Sequence, residues 1–393
     1  MSDAEPIDWI VFADDWGRLP STTQHLIRHL PDTDRVIWID SIGMRTPRLT
    51  RSDLQRVWGK LRTLAGSPTD HLDSRPAQTE RFAHIKPKVA PFHESETARS
   101  INKRSLSRDI RAAVSTVAVR RPVILISNTM GWLYVDAVRR TLIQAGHTQH
   151  VPVVYLRLDA FDVFPGVEAG LVQRTEPKLL DGCDAVFATA ERIVPCGENA
   201  HKSVYLPQGV DLPHFARVPL DPPGTRTIGY YGNVAEWMDW PLVEAIVHAN
   251  PAWRFEFVGP IRVPIPEALA DAKNAVFPGP CPYPALPVAT AHWDGAWMPF
   301  VINEHIQSAN PLKMREYLAA GFPVACTPFA ESYRVTADLC HVTDVPTFAR
   351  FLEQIGADDR ASRQARRSSV AEQGWAQRVG VLREGCGALL KVV

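Results

Sequence analysis

The chain has 393 residues, 45% hydrophobic and 22% charged, and its 43 basic residues are balanced by 43 acidic ones. That length exceeds what one ordinary core organises, so two domains are expected, and a formal net charge of zero gives no global electrostatic reason to bind nucleic acid. No apolar run reaches membrane-spanning length, the acidic start "MSDAEPIDWIVFADDWG" does not read as a signal peptide, and six cysteines without paired spacing fit the reduced thiols of a cytoplasmic protein.

In chain order, short β-rich runs alternate with longer helical patterns. "DWIVFA" (8–13) leads through "DDWGRLP" into a helix over 21–30, then "RVIWID" (35–40). "VILIS" (123–127), a helix near 132–145, "VPVVYLRL" (151–158), a helix near 168–181, "DAVFAT" (184–189) and "SVYLP" (203–207) continue the pattern. After the proline-rich stretch 211–224 it restarts with "TIGYYG" (227–232), a helix near 241–250, "RFEFVG" (254–259), "NAVFPG" (274–279) and "GAWMPF" (295–300). A helix from 310, ended by Gly321, and the strand "PVAC" (323–326) follow. Strands alternating with helices imply parallel sheets covered on both faces. The expected class is α/β, with two doubly wound Rossmann-like domains at 1–210 and 225–369 and a linker at 211–224.

In open parallel sheets, ligands bind beyond the carboxyl ends of the strands. That rule selects the loops 14–21, 127–132, 157–166, 230–237, 258–264, 278–283 and 299–313, where polar residues and glycines gather. In "NPLKMREYLAAGFPV" (310–324), Asn310 and Pro311 read as a helix start, and the free amides of Leu312 and its neighbours suit a phosphate. Lys313 adds a flexible point charge, and Glu316, one turn on, can accept from two neighbouring hydroxyls, as in a ribose or hexose. A nucleoside diphosphate carrying a sugar satisfies all three features. A surface ion pair between Lys313 and Glu316, worth only about 0.2–0.5 kcal/mol, satisfies the spacing equally well.

On the N-terminal side, Asp159 follows the strand "VPVVYLRL" and is placed to deprotonate an acceptor hydroxyl, with Asp162 as the neighbouring choice and a loop-fixing carboxylate as the plain alternative. In "WGRLPS", Gly17 permits close backbone approach and Arg18 can hold an anion, though a simple turn with an exposed arginine reads as well. "DTD" (32–34) falls before a strand, at the wrong end of the sheet for a metal site. His25 and His29 have zinc-compatible spacing but lack a third ligand, so no metal is expected; His25 alone is a candidate for the acceptor side. "GYYGN" lacks the full dinucleotide fingerprint of a dehydrogenase.

The stretch "ANPLKMREYLAAGFPVACTP" resembles the donor-binding signature of GT-B glycosyltransferases. "DDWGRLPSTTQHLIRHL", "RLDAFDVFPG", "LLDGCDAVFATAE", "YLPQGVDLPHF", "IGYYGNVAEWMDWPLV" and "FPGPCPYPALP" match in order, most similar to bacterial enzymes of exopolysaccharide, teichuronic acid and lipopolysaccharide assembly. The resemblance implies a GT-B fold with two domains facing a cleft and residues 370–393 crossing back toward the N-terminal domain. It implies transfer from a nucleotide sugar, UDP-linked by preference, to a glycan or lipid-linked hydroxyl, with no cofactor beyond the nucleotide sugar as co-substrate. Lys313 then contacts the diphosphate and Glu316 the ribose or sugar, and the loop Gly229-Tyr230-Tyr231-Gly232 lies under the donor phosphates. Asn233, Asn310, Pro311 and Leu312 are further donor-binding positions, and Tyr283 with the backbone near Phe277 to Gly279 flanks the base. Many retaining relatives carry a second glutamate where this chain has Ser308. Glu304, twelve positions before Glu316, is the nearest acid, its role not carried by the motif.

Residues 45–121 hold 17 Lys and Arg against 7 Asp and Glu, an excess of 10. With Leu54, Val57, Trp58 and Leu61 interleaved, 45–62, together with 99–121, suits peripheral contact with an anionic membrane at the inner face; a solvated helix beside a loop is the plain alternative. Two other functions remain open: a nucleotide-sugar 2-epimerase on the same fold, and a non-catalytic sugar-nucleotide-binding partner subunit.

Overall fold

The structure, a computed structural model, describes residues 5–17, 20–42, 79–90, 95–146, 150–335 and 339–391. Arg18 and the basic stretch 45–62 lie outside them. The chain divides into two units: Met1–Thr189 with Ile193–Leu206 and Val379–Val393, and Pro207–Arg378 with Ala190–Arg192.

Unit 1 is built on seven parallel strands: β1 (Asp8–Phe12), β2 (Arg35–Ile39), β3 (Phe82–Ile85), β4 (Pro122–Ile126), β5 (Val153–Arg157), β6 (Ala185–Ala188) and β7 (Ser203–Tyr205), in the order β3-β2-β1-β4-β5-β6-β7. Every residue of β1 and β4 is buried, which is why both read as unbroken apolar runs rather than alternating ones. β3 escapes the sequence reading because it is a short edge strand in which only alternate residues are buried. The helices Thr22–Arg28, Val135–Gln144 and Ala169–Gly182 lie close to their expected places. A 22-residue helix, Glu96–Val117, precedes β4 and buries Leu106, Ile110, Val114 and Val117. The order reverses between β1 and β4, so the loops leaving these two strands flank the topological switch point.

Unit 2 repeats the plan with six parallel strands: β8 (Thr227–Tyr231), β9 (Arg254–Val258), β10 (Ala275–Gly279), β11 (Gly295–Met298), β12 (Val324–Cys326) and β13 (Leu339–His341), in the order β10-β9-β8-β11-β12-β13. Its switch point lies between β8 and β11. The loops leaving those strands are tied together: Val301 N donates to Trp237 O at 2.8 Å and Asp239 N to Pro299 O at 2.8 Å. β13, three residues at the sheet edge, was also not legible in the sequence.

The stretch 211–224 belongs to unit 2 rather than standing apart as a linker. The reason is packing: Phe215, in the short helix Leu212–Phe215, and Val218 are each 1% exposed within the unit 2 core. The last helix, Trp375–Leu389, begins in unit 2, and from Val379 onward its residues belong to unit 1. Arg383 there makes two 2.9 Å hydrogen bonds to the buried Asp34 carboxylate. That contact, with Trp9 Nε1 donating to Asp34 at 2.9 Å, explains the third residue of "DTD": it is a structural anchor.

Candidate functional site

Three neighbouring strands of unit 2 end in glycines with left-handed backbone: Gly232 after β8 (φ 130°), Gly259 after β9 (φ 151°) and Gly279 closing β10 (φ 87°). The first two loops touch so closely that a Cβ on Gly259 would lie 1.9 Å from Gly232 O. Tyr230 pins the loop by donating its hydroxyl to Asn233 O at 2.8 Å, while Trp237 Nε1 donates to Tyr230 at 3.3 Å. Asn233 Oδ1 is buried and has no hydrogen-bond partner in the protein, leaving an acceptor open to a ligand's donor.

The helix Leu312–Ala320 enters this loop cluster. Pro311, not Asn310, occupies its cap position, and no side chain caps the first turn. Asn310 is diverted: its Oδ1 accepts from Arg315 at 2.6 Å and its Nδ2 donates to Glu331 at 3.3 Å, in a buried network. The side chain expected at the ligand therefore serves the fold. Gly321, φ 91°, closes the helix as its spacing indicates.

Lys313 is partly buried, with Nζ 5.5 Å from the Tyr230 ring centroid and 5.7 Å from that of Phe300. Burial pulls its pKa below the ordinary lysine value, opposed by the Glu316 charge. Glu316 is 7% exposed and accepts from the Tyr231 hydroxyl at 2.9 Å. Burial pushes its carboxyl up to about 7; the Tyr231 hydrogen bond and Lys313 oppose that rise and Asp211 adds to it. Glu316 is thus buried and Lys313 half-buried, which differs from a fully solvated surface pair. Tyr283 stacks on His214 at 4.5 Å, and His214 Nε2 lies 3.0 Å from Tyr283 O.

Glu304 starts the four-residue helix Glu304–Gln307 and is exposed, and Ser308 is buried. Sequence reasoning had Tyr231 only as part of the glycine loop and did not single out Asp211 or His214. The available signal was a tyrosine at the carboxyl end of a switch-point strand and the polar residues of "QGVDLPHF".

In unit 1, Asp159 follows β5, partly buried, and burial raises its carboxyl to about 7. On β5 itself, Arg157 and Tyr155 hold Glu176, at 2.9 Å and 2.6 Å. Beyond β1, Asp14 accepts from Ser21 at 2.8 Å and Gln24 at 2.6 Å, and Asp40 accepts from Trp16 N at 3.0 Å and pairs with His84 at 2.6 Å. Of these carboxylates only Asp159 was singled out in the sequence; Glu176, Asp14 and Asp40 were not. Gly17 has φ 78°, whereas His25 is 3% exposed, inside its helix's packing face. Among the described residues, no group of three His, Cys, Asp or Glu side chains is placed to hold a metal ion, and no helix is long and apolar enough to cross a membrane.

No protein-family model matches the chain. Over 104 residues, 25% of the chain, it is 30% identical to TuaH of Bacillus subtilis (strain 168), named as a teichuronic acid biosynthesis glycosyltransferase; the matched segment spans 26% of that protein. Solved structures align along the whole chain. Anabaena Alr3699/HepE, in complex with UDP and glucose, gives a TM-score of 0.60 at 10% identity, covering 99% of this chain and 100% of that one. The catalytic domain of starch synthase IV from Arabidopsis thaliana, bound to ADP and acarbose, gives 0.63 at 8% identity, covering 99% and 100%. Two parallel sheets and structural matches over the whole chain make this the GT-B fold.

Proposed function

From a chain with the GT-B fold, we propose a glycosyltransferase that moves a sugar from a nucleoside diphosphate donor to a hydroxyl acceptor. The observation that carries this reading is the pairing of Lys313 with the Gly232 loop at an uncapped helix start, one turn from the buried Glu316. In this reading Lys313 and the first-turn amides neutralise the diphosphate, and Glu316 holds ribose or sugar hydroxyls. UDP is the favoured nucleotide because HepE, similar along its whole length, has been solved with UDP-glucose.

The acceptor oxygen bonds to the anomeric carbon as the bond from that carbon to the phosphate oxygen breaks. The departing electron pair stays on the diphosphate, beside Lys313. Asp159 receives the acceptor proton if the configuration inverts; if it is retained, the leaving phosphate can take the proton itself. The acceptor is a glycan or lipid-linked hydroxyl of cell-surface polysaccharide assembly, in keeping with the name of TuaH. The helix Glu96–Val117 exposes Ile101, Arg104, Arg108 and Arg111, which suits contact with an anionic bilayer.

Calorimetric titration with UDP-, GDP- and dTDP-sugars, followed by assays of donor hydrolysis and transfer, tests the reading. Slow hydrolysis of one donor supports a transferase. Tight binding without turnover favours the partner-subunit alternative, and interconversion of two free nucleotide sugars favours the 2-epimerase.

A further inference from the structure

Resting on that donor-binding reading, we infer that Tyr231 is a positioning residue that aims Glu316 at the ribose diol and so sets selectivity for ribonucleotide donors. Tyr231 ends β8 and grips two consecutive residues of the helix Leu312–Ala320. Its hydroxyl donates to Glu316 Oε2 at 2.9 Å, and its backbone N–H donates to the Tyr317 hydroxyl at 2.9 Å. The ring cannot swing: Tyr317 meets it edge-on at 4.8 Å, and Phe215 and Trp293 stack at 6.4 Å and 6.1 Å. Phenylalanine would fill the same space, so the hydroxyl is the part that packing does not require.

A free glutamate side chain loses on the order of 1–2 kcal/mol of rotamer freedom when a ligand orders it. Tyr231 imposes that order beforehand. It has one proton to give, and giving it to Oε2 leaves Oε1 and the remaining lone pair for incoming hydroxyls. Asp211, whose charge also acts on Glu316, makes this end unfavourable for phosphate, whereas Lys313 one turn away favours it. The nucleotide is thereby oriented, diol toward Glu316 and diphosphate toward Lys313. A site built around a buried carboxylate rejects an analogue lacking the hydroxyls, because the carboxylate is then left unsatisfied.

The test is calorimetric titration of the full chain with UDP and with 2′,3′-dideoxy-UDP. The wild type is expected to prefer UDP by about tenfold or more, the size of one or two hydrogen bonds to a charged group. Tyr231→Phe should cut that preference several-fold while leaving dideoxy affinity unchanged, and Glu316→Gln should reduce the same ratio. The double variant should do little more than Glu316→Gln alone, since Tyr231 acts through Glu316. Equal weakening of both ligands by Tyr231→Phe, or an unchanged ratio, overturns the inference. If the tyrosine variant does not fold, wild-type selectivity that survives Glu316→Gln overturns it as well. A wild type that binds both ligands equally overturns this inference alone; one that binds no nucleoside diphosphate overturns the donor-binding reading beneath it.

Discussion

Gly232 and Lys313 occupy each other's margin: a Cβ built on Gly232 would lie 2.9 Å from Lys313 Cε and 3.2 Å from Nζ. The glycine's φ of 130° is one that side chains with a Cβ rarely adopt, so strain and crowding act together. Gly232→Ala should lower stability by about 1–3 kcal/mol through backbone strain. It should also push the ammonium aside and weaken diphosphate binding. Denaturant unfolding and calorimetry on the same preparation separate the two effects; unchanged binding would remove the loop from the site.

Lys313→Met keeps most of the aliphatic contact with Tyr230 and Phe300 while deleting the charge. Diphosphate affinity should fall by about 1.5–3 kcal/mol, the value of a charge-assisted hydrogen bond, with nucleoside affinity little changed. Because burial already works against this ammonium, thermal stability should hold or rise. A variant that binds UDP as tightly as the wild type would make Lys313 a packing residue.

Asp159 gives a pH signature. Its carboxyl titrates near 7 in the fold, and a base must be ionised, so turnover should decline as pH drops below about 7 and level off above it. Asp159→Asn should reduce an inverting transfer by roughly 10²–10⁴-fold and abolish that acidic limb. The stability effect has the opposite sense. A carboxyl whose folded pKa lies above its unfolded one favours the fold at low pH, and that contribution is lost as pH rises through 7. The Asn variant should therefore be more stable than wild type at pH 8, an advantage that fades toward about pH 4, the ordinary aspartate range. An inverted product from a fully active Asn enzyme would exclude the base role.

Asp358 supplies a control remote from the chemistry. Its carboxylate is 2% exposed and bonds to Arg363, itself 0% exposed, at 2.7 Å, and to Arg366. The arginines in turn hold Asp294 O at 2.9 Å and Gly321 O at 3.0 Å. Asp358→Ala leaves two buried cations short of their partner and should cost about 3–5 kcal/mol in denaturant unfolding. Nucleotide affinity of the folded fraction should be unchanged.

The class of this fold, the order of most of its elements and the one-turn spacing of Lys313 and Glu316 were readable in the residues alone. Strands buried on both faces must be written as continuous apolar runs, and a turn of helix must bring residues three apart onto one side. Those constraints are local and survive in a one-dimensional reading. β3 and β13 were lost because short edge strands are only partly buried and carry no such signal. Which side chains meet depends instead on the packing of distant elements. Tyr231 reaches Glu316 across 85 residues because the order of the unit 2 sheet sets the end of β8 beside that helix. Asn310 is drawn to Arg315 and Glu331 instead of capping its helix, since a buried guanidinium and a buried carboxylate leave a large desolvation penalty unless something polar lies between them.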